Sequence, residues 1–217
     1  GAFSGPGYYL FLREKTGQSA PYAYLGSSYT DSPVILLIDG NTASAAEILA
    51  AGLRDQDRAV LIGTRTYGKG VAQLIRDETT DPGYFDGDAF KIPFAGFYSE
   101  KGNTSDQIGV LPTLLLDEPA AEAVALALCA TPGQHVEEGW LKLQLAGQTL
   151  YLDARQTAER TLSALFSALP PSAQVWVSQQ DGSWQGSSVA DAAILLEVGY
   201  ASCFFSDLSQ SPYALEV

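Results

Sequence analysis

The chain has 217 residues, 46% of them hydrophobic, and carries a net charge of −13 with a pI near 4.3. That length and apolar share suit a substantial core divided over more than one folded unit. The charge argues against electrostatic attachment to nucleic-acid phosphates or anionic lipid and points to protein or peptide partners. No apolar run approaches the ~18 residues of a membrane span. There is no methionine and the sequence opens Gly1-Ala2-Phe3, so it reads as a piece of a longer protein, with any signal or anchor upstream. Cys129 and Cys203 have no partner at metal-ligand spacing and read as small core hydrophobes; neither a metal nor a cofactor is expected.

Taken in chain order, Tyr8 to Arg13 reads as a strand, followed by a loop rich in Gly, Ser and Tyr. Val34 to Asp39 is a continuous apolar run of strand length, the pattern of a sheet covered on both faces. Ala45, Ile48, Leu49, Gly52 and Leu53 then fall on one face of a helix. Ala59 to Gly63 is a second buried strand, Val71 to Arg76 a third and Phe90 to Tyr98 a fourth, so strand, helix, strand predicts a crossover unit of an α/β fold. Thr113 to Leu116 extends, and Asp117 caps a helix over Ala120 to Cys129 with Pro119 in its first turn.

Composition shifts at Thr131-Pro132-Gly133-Gln134, where a boundary separates residues 1–131, net −7, from residues 132–217, net −6. The second part opens with a hairpin, Leu141 to Leu145 and Thr149 to Leu152 around Ala146-Gly147. An amphipathic helix over Gln156 to Leu169, a strand at Val175 to Val177, a turn at Asp181-Gly182 and a helix from Val189 to Val198 complete a small α+β module. Nothing in it has catalytic spacing.

The chemistry concentrates at Ser44 and Lys69. A serine with a lysine base can cleave an amide without histidine, and the only histidine, His135, lies in a polar run. Ser44 opens the helix, where the backbone amide of Ala45 points at any negative charge developing nearby. Ser44-Ala45-Ala46-Glu47 equally matches a capping box, in which hydroxyl and carboxylate do no more than satisfy the helix start. Asn41 and Thr42 are alternative caps that would leave the Ser44 hydroxyl free. Lys69 follows Gly63-Thr64-Arg65-Thr66-Tyr67-Gly68, which satisfies all but the last position of a phosphate-binding loop. Gly70 stands where a magnesium-holding hydroxyl is needed, and Val71 to Ile75 reads as β rather than helix, so the nucleotide reading loses both metal ligand and helix. To act as a base Lys69 must be neutral, and an ion pair with Asp or Glu would disarm it. Gln73, four residues on along a strand, shares its face.

Together, Ser44, Glu47, Asp55, Tyr67-Gly68-Lys69-Gly70 and Gln73, with Lys69 25 residues after Ser44, resemble the carboxyl-terminal processing peptidases, or tail-specific proteases. The likeness continues through Phe97-Tyr98-Ser99 and Gly109-Val110-Leu111-Pro112, with Thr113 in place of the usual aspartate, and covers roughly Tyr8 to Cys129. It implies a crotonase-like or Clp-protease-like core of ββα units, present here in part. It also implies cleavage near unstructured substrate C-termini, Ser44 as nucleophile, Lys69 as base, Gln73 orienting the lysine and Ala45 in the oxyanion hole. Asp55, ~16 Å along the helix from Ser44, is expected to be structural, pairing Arg54 or Arg58. The resemblance places a second oxyanion donor in a Gly-Gly segment and a PDZ domain further upstream, so this stretch alone is expected to be poorly active. It also implies a bacterial, extracytoplasmic setting, with envelope association only through upstream or C-terminal regions. Two other readings stand beside it: a non-catalytic peptide-binding relative, and a C-terminal module that serves as an interaction or envelope-attachment domain. Oligomeric state is not legible.

Overall fold

The computed structural model describes residue 3, residues 5–27 and residues 30–192. In chain order the strands are β1 (Gly7–Glu14), β2 (Ser19–Tyr24), β3 (Ile35–Ile38), β4 (Val60–Gly63), β5 (Val71–Asp77), β6 (Ala89–Tyr98), β7 (Leu114–Leu115), β8 (Trp140–Leu145), β9 (Gln148–Asp153), β10 (Gln174–Ser178) and β11 (Trp184–Ser187). The helices are α1 (Ala45–Asp55), α2 (Ala120–Ala127) and α3 (Glu159–Ala168). This is a mixed α/β fold in two compact units whose chain segments interleave. Unit 1 takes residues up to 32, 38–58 and 65–111; unit 2 takes 33–37, 59–64 and everything from 112 on.

Unit 1 is built on an antiparallel sheet in the order β2-β1-β6-β5. The segment expected to be a loop after β1 is in fact the edge strand β2. Pro21 and the absence of apolar alternation hide it in the sequence, yet an edge strand tolerates proline because one side of its ladder is unpaired. Pro93 lies inside β6, which has a neighbour on each side. It cannot donate to the ladder, and the register with β5 shifts between Ala72 and Gln73, where Gln73 faces Pro93.

The helix predicted after β3 is α1, but its buried side differs from the predicted stripe. Leu49 and Ala45 are exposed, while Glu47, Ala50, Gly52, Leu53 and Asp55 are buried. Hydrophobicity alone misplaces the face because both carboxylates have polar partners inside the fold.

In unit 2 a three-stranded sheet runs β3-β4-β7, with β4 and β7 parallel. β4 is wholly buried, as the apolar run predicted, whereas Leu37 of β3 is 52% exposed, so the expectation of cover on both faces fails at this edge strand. A second, antiparallel sheet is ordered β11-β10-β8-β9. Period-two alternation turns Leu141, Leu143, Leu150, Leu152, Val175 and Val177 inward, where they join Val60, Ile62, Leu114, Val124, Leu128 and Leu165 in one core. On the other face Lys142 Nζ sits over two indoles, 4.5 Å from the Trp176 ring and 5.1 Å from that of Trp184.

Two further expectations move. The N-cap of α2 is Pro119 rather than Asp117, with no side-chain cap bond; the Asp117 carbonyl, not its carboxylate, accepts from Ala121. Cys129 is exposed instead of buried, because the chain has left α2 by that point and pairs as an isolated bridge with Tyr151. β11 was not anticipated beyond the turn that precedes it. Cys203 and residues 193–198 of the predicted last helix lie outside the described residues, although 189–192 are helical.

Candidate active site

The site forms where β3 runs into a tight turn. The Asp39 carboxylate accepts from the Asn41 amide at 3.0 Å, the Thr42 amide at 2.9 Å, Thr42 Oγ1 at 3.0 Å and Asn41 Nδ2 at 3.0 Å. Those bonds hold the Asp39 carboxyl below its ordinary value, the Asn41 and Thr42 side chains contributing most. They also occupy Asn41 and Thr42, so neither caps α1 as the sequence suggested. The N-cap is Ser44 itself, in a capping-box arrangement with Glu47 that closes no cap hydrogen bond onto the serine side chain.

Ser44 has φ 57 and ψ −118, a conformation that non-glycine residues avoid. Strain of this kind costs on the order of 1–3 kcal/mol and persists only where the surroundings impose it. A serine on a strained turn between a strand and a helix is the arrangement that presents a nucleophilic hydroxyl at the top of the sheet in α/β-hydrolases.

Glu47 supplies the constraint. Its side chain is fully buried. Oε2 accepts from the Ser44 amide at 2.9 Å and from the Lys69 amide at 2.8 Å; Oε1 accepts from the Gly68 amide at 2.7 Å and from Thr66 Oγ1 at 2.5 Å. The main-chain nitrogens of Ser44 and Lys69 are therefore each one hydrogen bond from the same oxygen atom. Burial pushes the Glu47 carboxyl up, but the bonds from Thr66, Gly68, Ser44 and Lys69 outweigh it and hold the group below its ordinary range, so it is a carboxylate at neutral pH. The same four bonds dispose of the phosphate-loop reading. The amides that would cradle a phosphate are given to Glu47, and β5 rather than a helix follows Lys69.

The lysine turn is held from its other side by β6 and by residues 105–110. Gln107 N–H donates to the Gly68 carbonyl at 2.8 Å, Phe97 N–H to the Gly70 carbonyl at 2.7 Å and Val110 N–H to Thr66 Oγ1 at 2.7 Å. A Cβ on Gly70 would lie 2.3 Å from the Asp106 nitrogen, and one on Gly109, at φ 78, 2.3 Å from the Thr66 carbonyl oxygen. Glycine at both positions is thus required by close backbone approach.

Ser44, Lys69 and Gln73 are all half-buried and Ala45 is exposed at the helix start, where its amide has no intrahelical partner. The structure brings the Ser44 and Lys69 backbones together. It shows no hydrogen bond between Ser44 Oγ and Lys69 Nζ, and none from Gln73 to Lys69. At the far end of α1, Asp55 pairs with Arg54 at 3.0 Å and accepts from Ser99 Oγ and, at 3.2 Å, Asn103 Nδ2. It serves the helix end, as its distance from Ser44 along α1 predicted. Burial raises the Asp55 carboxyl, and the Ser99, Arg54 and Asn103 bonds more than reverse it.

Residues 2–116 match Peptidase family S41. The chain belongs to this family. Among curated relatives, it is 35% identical over 100 residues to a carboxy-terminal-processing protease of Bartonella bacilliformis, covering 46% of this chain and 22% of the relative. It is 34% identical over 121 residues to the chloroplastic carboxyl-terminal-processing peptidase 3 of Arabidopsis thaliana, covering 53% and 22%. Among solved structures, the photosystem II D1 C-terminal processing protease aligns with a TM-score of 0.49 at 29% identity, over 55% of this chain and 30% of that one. The chain spans less than a quarter of the length of these two curated relatives. Thr113, which stands where the tail-specific pattern has aspartate, accepts from Leu61 N–H at 3.2 Å through its Oγ1.

Sequence reasoning missed the reach of Glu47. Its spacing from Ser44 announced a cap, but nothing local announced that the same carboxylate would also collect Thr66, Gly68 and Lys69.

Proposed function

We propose that this S41 chain carries the nucleophile and the base of a serine endopeptidase that cleaves proteins near their C-termini, on a crotonase-like or Clp-protease-like ββα core present in part. The observation that supports this best is the Glu47 bracket, which ties a strained Ser44 to the Lys69 turn through one carboxylate. Neutral Lys69 accepts the proton from Ser44 Oγ as the oxygen attacks the peptide carbonyl, and the Ala45 N–H stabilises the oxyanion. Collapse of the tetrahedral intermediate breaks the C–N bond, the lysine returns the proton to the leaving amine, and an acyl-serine remains. Water, deprotonated by the same lysine, then hydrolyses the ester. Gln73 orients Lys69. The partners are protein or peptide substrates in an extracytoplasmic compartment. Residues 1–131 are the peptidase-derived portion and residues 132–217 an accessory module.

A fluorophosphonate probe incubated with the protein tests the reading. Mass spectrometry should locate the adduct on Ser44, and both Ser44→Ala and Lys69→Met should abolish it. A protein that binds peptides while Ser44 never reacts would instead be a non-catalytic relative.

A further inference from the structure

Thr66 immediately precedes the lysine turn and is 3% exposed. Its Oγ1 donates to Glu47 Oε1 at 2.5 Å and accepts from Val110 N–H at 2.7 Å. An amide nitrogen can only donate, so the one hydroxyl hydrogen goes to the carboxylate and the direction of both bonds is fixed. The main chain repeats the link, Thr66 N–H donating to the Val110 carbonyl at 3.2 Å. Val110 follows a closed turn in which Gly109 N–H donates to the Ser105 carbonyl at 2.8 Å. Thr66 is therefore clamped by residues 105–110 on one side and grips Glu47 on the other.

Three of the four donors on Glu47 are the main-chain amides of Ser44, Gly68 and Lys69, which side chains at those positions do not provide. Thr66 Oγ1 is the side-chain donor of the set, and so the bond that a substitution can remove. The terminal torsion of a glutamate is broad and two-fold, so hydrogen bonds rather than rotamer preference set its angle. Oε1 takes Thr66 and Gly68, and Oε2 takes Ser44 and Lys69. Without the hydroxyl Oε1 keeps a single donor, and any rotation of the carboxylate carries Oε2 away from both amides it joins.

We propose that Thr66 is a positioning residue for the nucleophile: its hydroxyl locks the Glu47 carboxylate, and through it the strained Ser44 backbone and the Lys69 turn, in the arrangement that acylation requires. The proposal rests on the peptidase reading above and adds a residue that acts through Glu47 rather than on the reacting atoms. Burial raises the Glu47 carboxyl, and the Thr66 bond is the largest of those that bring it below its ordinary range, so losing the hydroxyl also moves its titration to higher pH. The other titratable groups around Glu47 are Tyr9 of β1 and Tyr98 of β6, which border the same small cavity, together with Lys69, Asp39 before Ser44, and Asp106, which accepts from Gly70 N–H. All are common to parent and variants, so a difference between titrations reports Glu47.

The test uses the whole 217-residue chain and two readouts. The first is the rate of fluorophosphonate labelling at Ser44. Thr66→Val, similar in shape but without the hydroxyl, should lower the maximal labelling rate at least about tenfold while leaving the half-saturating probe concentration unchanged. Thr66→Ser should label close to the parent rate, and Thr66→Cys, close in size to serine but a weak donor, should be several-fold slower than Thr66→Ser. The second is the pH titration of the Ser44 and Lys69 amide shifts by NMR, whose midpoint should rise in Thr66→Val and stay in place in Thr66→Ser. Labelling of Thr66→Val at the parent rate overturns the proposal, as does a Thr66→Ser as slow as Thr66→Val, which would mean that the threonine methyl matters and the hydroxyl does not. Amide midpoints that do not move overturn it too. Should Thr66→Val fail to fold, the Cys and Ser variants carry the comparison, and equal rates for those two overturn it. If Ser44 of the parent never reacts while the midpoints shift as stated, the peptidase reading fails and the Thr66 lock on the Ser44 backbone stands.

Discussion

Ser44 and Glu47 show a functional residue held by its neighbour against its own preference. At φ 57 and ψ −118, glycine relieves the strain that serine carries, and the relief exceeds glycine's greater loss of chain entropy. Ser44→Gly should therefore raise the unfolding free energy by about 1 kcal/mol in urea titration while eliminating fluorophosphonate labelling, a trade of stability for activity. Glu47→Gln replaces an acceptor of four bonds with a group that presents an N–H₂ to other donors. It should lower stability by about 2–4 kcal/mol and slow Ser44 acylation by at least tenfold. The pH dependence has a definite sign. Because the folded-state pKa of Glu47 is depressed, its contribution is complete above its ordinary value of 4.5 and is lost as pH falls from there through the folded value. Asp55 adds a loss of the same sign below 3.8. The urea midpoint of the parent should drop on that acid limb, and Glu47→Gln should flatten it. Ser44 and Lys69 were legible from spacing and residue type. The backbone conformation of Ser44 and the four donors on Glu47 were not, since both depend on a turn that arrives 19 to 25 residues later.

Elements behaved according to how much of their pattern is local. β4, an unbroken apolar run, was found where expected and is wholly buried. β2 went unseen because an edge strand needs no apolar alternation and admits Pro21. α1 was found with its buried side misjudged, since Glu47 and Asp55 enter the interior only with partners supplied in large part by the loops after β4 and after β6. The lysine turn is the element most sensitive to substitution. Gly70→Ala places a methyl 2.3 Å from the Asp106 nitrogen, where backbone rather than a flexible side chain must move. A loss of about 2–4 kcal/mol is expected, seen as a lower thermal midpoint together with reduced acylation of Ser44. Gly40→Ala, with nothing within 4 Å of the added carbon, should leave both readings close to the parent.

Over the whole molecule, the composition boundary at Thr131 and the organisation of packing answer different questions. The family match spans residues 2–116, while the core of unit 2 runs from Val60 and Ile62 through Leu114 and Leu128 to Leu143 and Leu165. Leu165→Ala should cost about 2–5 kcal/mol, measurable by urea titration. A chain stopped at Thr131 should be insoluble or molten by near-UV circular dichroism, because Leu114, Val124 and Leu128 lose the residues that cover them.

The interleaving of the two units along the chain reaches further, into synthesis. Strand β4 emerges from the ribosome more than fifty residues before β7, its parallel partner, and the hairpin β8–β9 that completes the same core follows later still. Unit 2 cannot close its core until its last segment, from residue 112 on, has been made, and long-range pairing of this sort folds slowly. Nascent chains should thus expose Val60, Leu61 and Ile62 until translation has passed Asp153, a window in which holdase chaperones have an apolar strand to grip.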